Sequence, residues 1–489
     1  MGGHYDKDIF KQLTELMERC ESMDKKISGM KAEHKIEVGK LNDRIDTLEK
    51  ENDTLKRENT ILKNDNERMK RILNNNSSNT SLPPSSDQKG KRANEYNSRP
   101  KTSKKQGAQP GHKGTTLTKE YAEQKLRSGK YVHRIETVGT PKGAYVSKYI
   151  LDVEVVPIIR EIRIYAGEDG VLRIPSEYRN DVIYGNTVKS IAVDLYAEGV
   201  MSNDRICGFL NTISGNSLEL STGSVYGFCK SFSEKSVPAN SQIEQELRNE
   251  PTVCTDATLV TVNGKQAYIR NFSSEQAVLY ESMEKKDLES LHAISFLTQY
   301  AGNLEHDHET ALYHFGSGHG ECNVHLLRYL KKNTEESGSH WSKNMADFLC
   351  GLNEERKKRI AENRRFTEPE LASCESRYDE ILKEGRFQNK TTRGCLAKQE
   401  EKTLLNRLEK YKKNHLLFLH DFTVPFQNNM SERDLRKCKN RQKIAGGFRK
   451  ESGNEMYCRI MSIVETCKRR QMPVLENIKK IFEGTPAIF

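Results

Sequence analysis

The sequence predicts an α/β domain interrupted by a long helical insertion. An N-terminal parallel coiled coil and a small mixed region, β then helical, precede it. Three observations predict this. A seven-residue apolar repeat runs through residues 1–75, residues 251–310 read strand, hairpin, strand, helix, strand, and residues 330–420 are charged and helical in pattern. The 489 residues carry 79 Lys and Arg against 69 Asp and Glu, a net charge of +10. Charged residues make up 30% and apolar residues 35%, thin for one globule, so part of the chain is expected to be fibrous or unstructured. No stretch approaches the ~20 apolar residues of a membrane span. The opening MGGHYDKDIF lacks the apolar centre of a signal peptide. A soluble, intracellular protein is expected. The 11 cysteines include no CxxC pair, which argues against a disulfide framework and a four-cysteine zinc ribbon.

Residues 1–75 carry the repeat. One seam position reads Leu13, Cys20, Ile27, His34, Leu41, Leu48, Leu55, Leu62, Met69; the other includes Val38, Ile45, Asn52, Asn59, Asn66 and Leu73. Such a seam is buried only when helices pair, and Leu opposite Asn favours two parallel strands. The alternative is one amphipathic helix packed on the body. Residues 76–115 read as a linker, rich in Asn, Ser, Pro and Gly. Its basic run includes Lys104, Lys105 and Lys113 and suits phosphate contact; a solvated tether fits equally.

In residues 116–250, Tyr145–Tyr165 is rich in Val, Ile and Tyr and predicts a small sheet or hairpins. Three short helices follow from Tyr184, with Ser202 as a cap for the second. They fit a helix-turn-helix or a plain packing unit.

Residues 251–325 are the most informative. PTVCTDATLVTV reads as a strand, Asn263-Gly264 as a type I′ hairpin turn, KQAYIRNFS as the return strand and QAVLYES as a third. KDLESLHAISFLTQY reads as one helix, and GNLEH as a short strand leading into Asp307. This is the order of an RNase H-like core, in which Asp256 on the first strand neighbours Asp307 at the end of the fourth. Two such carboxylates can share divalent metals for phosphodiester cleavage. Glu432, in NNMSERDLRKCKNRQKIAGGFRK, is the candidate third acid, with Asn428 or Asn429 capping its helix. Arg433, Arg436, Lys437, Lys439, Arg441, Lys443, Arg449 and Lys450 make that block basic, where a nucleic-acid backbone would lie. By pattern residues 326–425 fit a solvated helical hairpin that only bridges subunits equally with an insertion in the α/β domain, whose last part would be residues 426–489.

These residues resemble the IS66 family of insertion-sequence transposases, a DDE group. The resemblance is carried in order by the zipper-like start, NSSNTSLPPSSD, GAQPGHKG, the TDAT segment, DHETALYHFGSGHGECNVHLLRYL, NNMSERDLRKCKNRQKIAGGFRKESGN and RIMSIVETCKRRQMPV. It implies DNA cleavage and strand transfer with two Mg²⁺ ions, Mn²⁺ able to substitute, held by Asp256, Asp307 and Glu432. It implies DNA contacts for Arg328, Asn429 and Arg433. It marks Cys322 and His325 as a family motif that, alone, lacks two zinc ligands and fits structural packing. The expected partners are double-stranded DNA (transposon ends and target), a second or further copy of the chain, and small accessory proteins; the expected location is cytoplasmic and nucleoid-associated.

Two departures stand out. Relatives often carry zinc cysteines after the GHKG-like segment, whereas residues 116–206 contain none, so no zinc is expected there. Ala257 follows the first Asp where an acid is common. The alternatives are a non-catalytic DNA-binding protein derived from a transposase, and a coiled-coil scaffold that leaves the basic GGFR block unexplained.

Overall fold

Residues 252–262 alternate β-branched and small residues, and they form the central strand of a five-stranded sheet. The computed structural model describes residues 5–75, 117–129, 131–138, 143–392 and 395–485. The linker with Lys104, Lys105 and Lys113 lies outside the described residues. Strands β1 (Thr252–Val262), β2 (Lys265–Ser273), β3 (Val278–Met283), β4 (Asn303–His306) and β5 (Gly318–Glu321) pair in the order β3-β2-β1-β4-β5. The first three are antiparallel, and β4 and β5 run parallel to β1. Asn263 and Gly264 both take positive φ, 49° and 75°, the geometry of a type I′ turn.

A 70-residue helix, α1 (Tyr5–Asn74), opens the described chain, roughly 105 Å long at 1.5 Å per residue. Its seam is exposed, with Leu41 at 57% and Leu73 at 62%. Glu67, Arg71 and Asn75, four residues apart on the opposite stripe, are half-buried. A short helix α2 (Lys119–Arg127) follows, capped by the Thr118 hydroxyl, which accepts from Tyr121 N–H at 3.2 Å.

The sheet's core is shared with helices on both sides of it in sequence. These are α3 (Asn186–Ala197), α4 (Asn203–Ile213), α5 (Thr222–Lys235) and α6 (Val237–Arg248) before the sheet. After it come α14 (Asn429–Ala445), α15 (Glu451–Arg469) and α16 (Val474–Phe482). The Ser202 hydroxyl accepts from Arg205 N–H at 3.3 Å to start α4. The boundary drawn at residue 250 therefore falls inside one core rather than between two. Between β3 and β4 stand two short helices, α7 (Leu288–His292) and α8 (Ser295–Gln299), not the single helix expected. Ile294 takes an extended conformation and is buried, which interrupts the turn.

The helices α9 (Asn323–Ser337), α10 (His340–Ala361), α11 (Glu368–Thr391), α12 (Cys395–Lys410) and α13 (Lys412–His420) build a second core around Trp341. The Trp341 indole donates to Glu401 at 2.7 Å. Asn323 N–H donates to Phe426 O at 3.1 Å, so this insert leaves and returns at one point. Arg71 of α1 pairs with Glu400 of α12 at 2.8 Å.

Another expectation fails. Tyr145–Tyr165 forms no strand; the segment is extended without a ladder, and Ile150, Val153 and Ile159 are 88%, 84% and 99% exposed. Strand propensity reports fit to a half-buried pleated surface, and no such surface covers these side chains.

Candidate active site

Parallel pairing of β1 with β4 sets Cys254 opposite Glu305. Two residues further along each chain stand Asp256 and Asp307. Asp256 N–H donates to Asn271 Oδ1 at 3.2 Å, and its carboxylate accepts from Ala257 N–H at 2.7 Å. Burial raises the Asp256 pKa to about 7, and the charge of Asp307 pushes the same way; Ala257 N–H, Lys286 and Arg270 act against both. Arg270, fully buried, is held at 2.6 Å by Glu309, which also takes Lys286 at 3.0 Å. The result is a carboxylate pair backed by cations.

Glu432 enters from α14. Its N–H donates to Asn428 O at 3.3 Å, and it occupies the first helical turn. Asn428 stands at the N-cap of this helix, one of the two positions the sequence offers, but its side chain makes no capping hydrogen bond. Its amide donates instead to Thr255 O at 2.8 Å, and its backbone N–H to Cys322 Sγ at 3.3 Å. One asparagine thereby ties α14 both to the residue before Asp256 and to the start of α9. Deeper in, Asp434 accepts from the Ser273 hydroxyl at 2.7 Å and pairs with Arg469, and Tyr280 O–H donates to Asp434 O at 3.3 Å. Asp434 pins the helix to the sheet, a role that the basic text around it conceals.

The Cys-x-x-His pair divides. Cys322 is buried and serves Asn428. His325 is half-buried, its Nε2 lies 3.8 Å from Glu432 Oε1, and its buried Nδ1 has no hydrogen-bond partner. Burial lowers its pKa, helped by Arg328, while Glu432 and Asp307 pull it up. His325 thus sits in the field of two of the three acids, and it is neutral.

Among the described residues no three His, Cys, Asp or Glu side chains gather closely enough to hold a metal ion. Glu432 is turned toward His325 instead of joining the pair. The pair itself fits a hard divalent cation, because carboxylate oxygens are hard donors and the charge of Asp307 raises the cost of ionising Asp256, a cost that a bound cation would offset.

The basic block also divides. Asn429, Arg433, Arg436, Lys439, Lys443 and Arg449 are exposed, and Arg328 is half-buried. Lys437 pairs with Glu198 and Glu465. Arg441 is buried, donates to Met201 O and lies 3.9 Å over the Tyr196 ring. Lys437 and Arg441 are spent on internal partners, unlike their exposed neighbours. The GGFR tail is a clip: Phe448 N–H donates to Thr261 O at 2.7 Å, and Asn263 N–H to Phe448 O at 2.8 Å. Gly447, at φ +127°, runs so close that a Cβ would stand 2.6 Å from Thr261 O.

The family model described as Transposase IS66 family matches residues 182–456, more than half of the chain. The chain belongs to the IS66 family of transposases. The matched span of this IS66 transposase holds Asp256, Asp307, Glu432 and the Phe448 clip, and it includes the whole helical insert. A second model, Family of unknown function (DUF6444), matches residues 28–118. No curated protein matches the chain. No helix among the described residues is long and apolar enough to cross a membrane.

Proposed function

We propose that this IS66 transposase is of the DDE type: it binds transposon ends, hydrolyses phosphodiester bonds and performs strand transfer. The observation that carries the reading is the carboxylate pair, with the Asp256 proton held to about 7 by burial and by Asp307 beside it. The strand order β3-β2-β1-β4-β5, antiparallel then parallel, supports an RNase H-like fold for the sheet. Asp256 and Asp307 would hold Mg²⁺, or Mn²⁺ in its place, with Glu432 completing a two-ion set that activates the attacking oxygen and stabilises the leaving one.

The chain's own residues do the rest. Asn428 fixes the first turn of α14 against β1, and so fixes Glu432. Neutral His325 accepts or donates one hydrogen bond beside Glu432 without adding charge. Arg433 and Arg436 are exposed on the same helix and take backbone phosphates, with Arg328, Asn429, Lys439, Lys443 and Arg449 extending the track. Lys104, Lys105 and Lys113 add sequence-blind contacts to double-stranded DNA.

The exposed seam of α1 pairs with a second copy in parallel, so dimerisation brings two DNA ends together. At its C-terminal end the opposite stripe meets α12 through Arg71 and Glu400, which leaves the seam free for that partner. A nucleoid-associated location in the cytoplasm follows from the DNA substrate.

The test is a strand-transfer assay in Mg²⁺ with the flanking repeats of the protein's own gene. Asp256→Asn should abolish nicking while leaving DNA binding intact; full cleavage by that variant would refute the acidic triad. The second reading, a DNA-binding protein without catalysis, draws on Glu432 lying against His325 rather than with the pair. Wild-type protein that binds repeats but never nicks them would establish it.

A further inference from the structure

Glu321, the last residue of β5, is 2% exposed and takes four donors on one carboxylate. They sort by origin. Oε1 accepts from His308 Nδ1 at 2.9 Å and from the Tyr313 hydroxyl, both in the turn that follows Asp307. Oε2 accepts from Arg407 of α12 at 2.8 Å and faces His415 Nε2 of α13 at 3.3 Å, both in the helical insert. The donor set holds the Glu321 carboxyl well below the usual carboxylate range in spite of its burial. Tyr378 of α11 lies 3.0 Å from His415 Nδ1. Burial keeps His415 neutral, so a hydrogen on Nε2 can point at Glu321, with the Tyr378 hydroxyl shared between Nδ1 and Leu408 O at 3.1 Å.

The turn needs such a hold. His308 has φ +68°, a left-handed conformation that a non-glycine residue adopts only when its surroundings impose it. It is the residue directly after Asp307. Its ring also meets Tyr411, between α12 and α13, with centroids 4.6 Å apart, and Tyr411 stacks on Tyr313 at 5.3 Å. Cys322 N–H donates to His306 O at 2.9 Å on the other side of Asp307. The direction of Asp307 is therefore set by a turn whose shape depends on contacts from the insert.

We propose that Glu321 is a positioning residue for the site: through one oxygen it fixes the His308 turn and hence Asp307, and through the other it is aimed by α12 and α13. The role of the insert is then partly to orient an acid that it does not supply. This rests on the reading of Asp307 as a member of the reacting set.

The experiment compares wild type with Glu321→Gln, Arg407→Met and Arg407→Lys. Four quantities are read: far-UV circular dichroism, DNA affinity in EDTA, Mn²⁺ affinity by calorimetry without DNA, and the single-turnover rate of end cleavage. Glu321→Gln should keep its fold and its DNA affinity. Its Mn²⁺ affinity and cleavage rate should each fall about tenfold or more, as when the partner of a metal-binding carboxylate is removed. Arg407→Met should lose in the same two quantities, and Arg407→Lys should recover part of both. Mn²⁺ affinity and rate that match wild type in folded Glu321→Gln would overturn the proposal. Should that variant unfold, unchanged values in Arg407→Met would do the same. Wild-type protein that binds Mn²⁺ but does not cut would defeat the functional reading alone, and the calorimetry would still judge Glu321.

Discussion

Asp256→Asn should stabilise the metal-free protein above neutral pH, and the size of the effect follows from its surroundings. The folded pKa of Asp256 stands at about 7 against an ordinary 3.8. Between those values the folded protein keeps a proton that the unfolded chain has released. Stability therefore falls as pH rises through this window, stays low above it, and carries no penalty below 3.8. Three pKa units at ~1.4 kcal/mol each set an upper bound of about 4 kcal/mol. Asn keeps an oxygen for the Ala257 N–H and removes the charge, so at about pH 8 the variant should exceed wild type by on the order of 2–4 kcal/mol. At about pH 4 the two should converge. Urea unfolding without divalent cations, followed by far-UV circular dichroism, measures the difference. Trp341, the chain's one tryptophan, sits in the core of the insert. Its fluorescence midpoint should not move, which separates the two cores. Wild-type stability that stays level from about pH 4 to pH 8, or a variant no more stable than wild type at the upper end, would refute the assignment of that burden to Asp256.

Three further outcomes are expected. Arg436→Ala should weaken DNA binding and reduce the slope of log affinity against log salt by about one, whereas Lys437→Ala should leave the slope alone and lower stability by roughly 1 kcal/mol, because Glu198 and Glu465 lose one of their two lysines and keep Lys468. Gly447→Ala should cost roughly 1–3 kcal/mol and loosen the hairpin clip, seen as faster hydrogen exchange at Asn263 and Phe448, because its φ and its approach to Thr261 both exclude a Cβ. Leu55→Lys in the seam should turn a dimer into a monomer in sedimentation while the folded body keeps its unfolding midpoint, since Leu55 is 63% exposed in the single chain.

The antiparallel half of the sheet was legible because β-branched alternation and Asn263-Gly264 each specify local geometry. Strand β5 was not, since GHGE has no apolar pattern at all. Its Gly320 is there for space: it pairs in register with Glu305, and a Cβ would overlap the Glu305 carboxylate. Glu305 is itself fully buried and has no hydrogen-bond partner among the described residues, and burial, with Glu321 nearby, pushes its pKa well above the usual range. The β reading of Tyr145–Tyr165 failed in the opposite way, as composition without a surface to pack on. Asp256 and Asp307 could be named from topology, because parallel strands bring their ends together. Lys437 and Arg441 could not be told from their exposed neighbours. Their partners Glu198, Met201 and Tyr196 lie more than 200 residues earlier, and charge spacing along one helix carries no information about them. Asn428 was legible as a cap position but not in its bonding: an asparagine before a helix usually caps it with its side chain, and here β1 offers a carbonyl instead.

The hydrogen bonds that close the insert, from Asn323 to Phe426 and from Asn428 to Cys322, have a consequence for the order of assembly. Glu432 must reach a strand that is more than 170 residues upstream in the chain. An unstructured connection of about 100 residues would cost roughly 3 kcal/mol more to close than one of about four. An insert that has already condensed around Trp341 presents its two ends side by side and removes that difference. During synthesis the carboxylate pair emerges first, the insert condenses next, and α14 arrives last. A nascent chain therefore holds two acids before the third, and on the proposed reading the capacity to cut DNA waits until the insert has folded and α14 has docked.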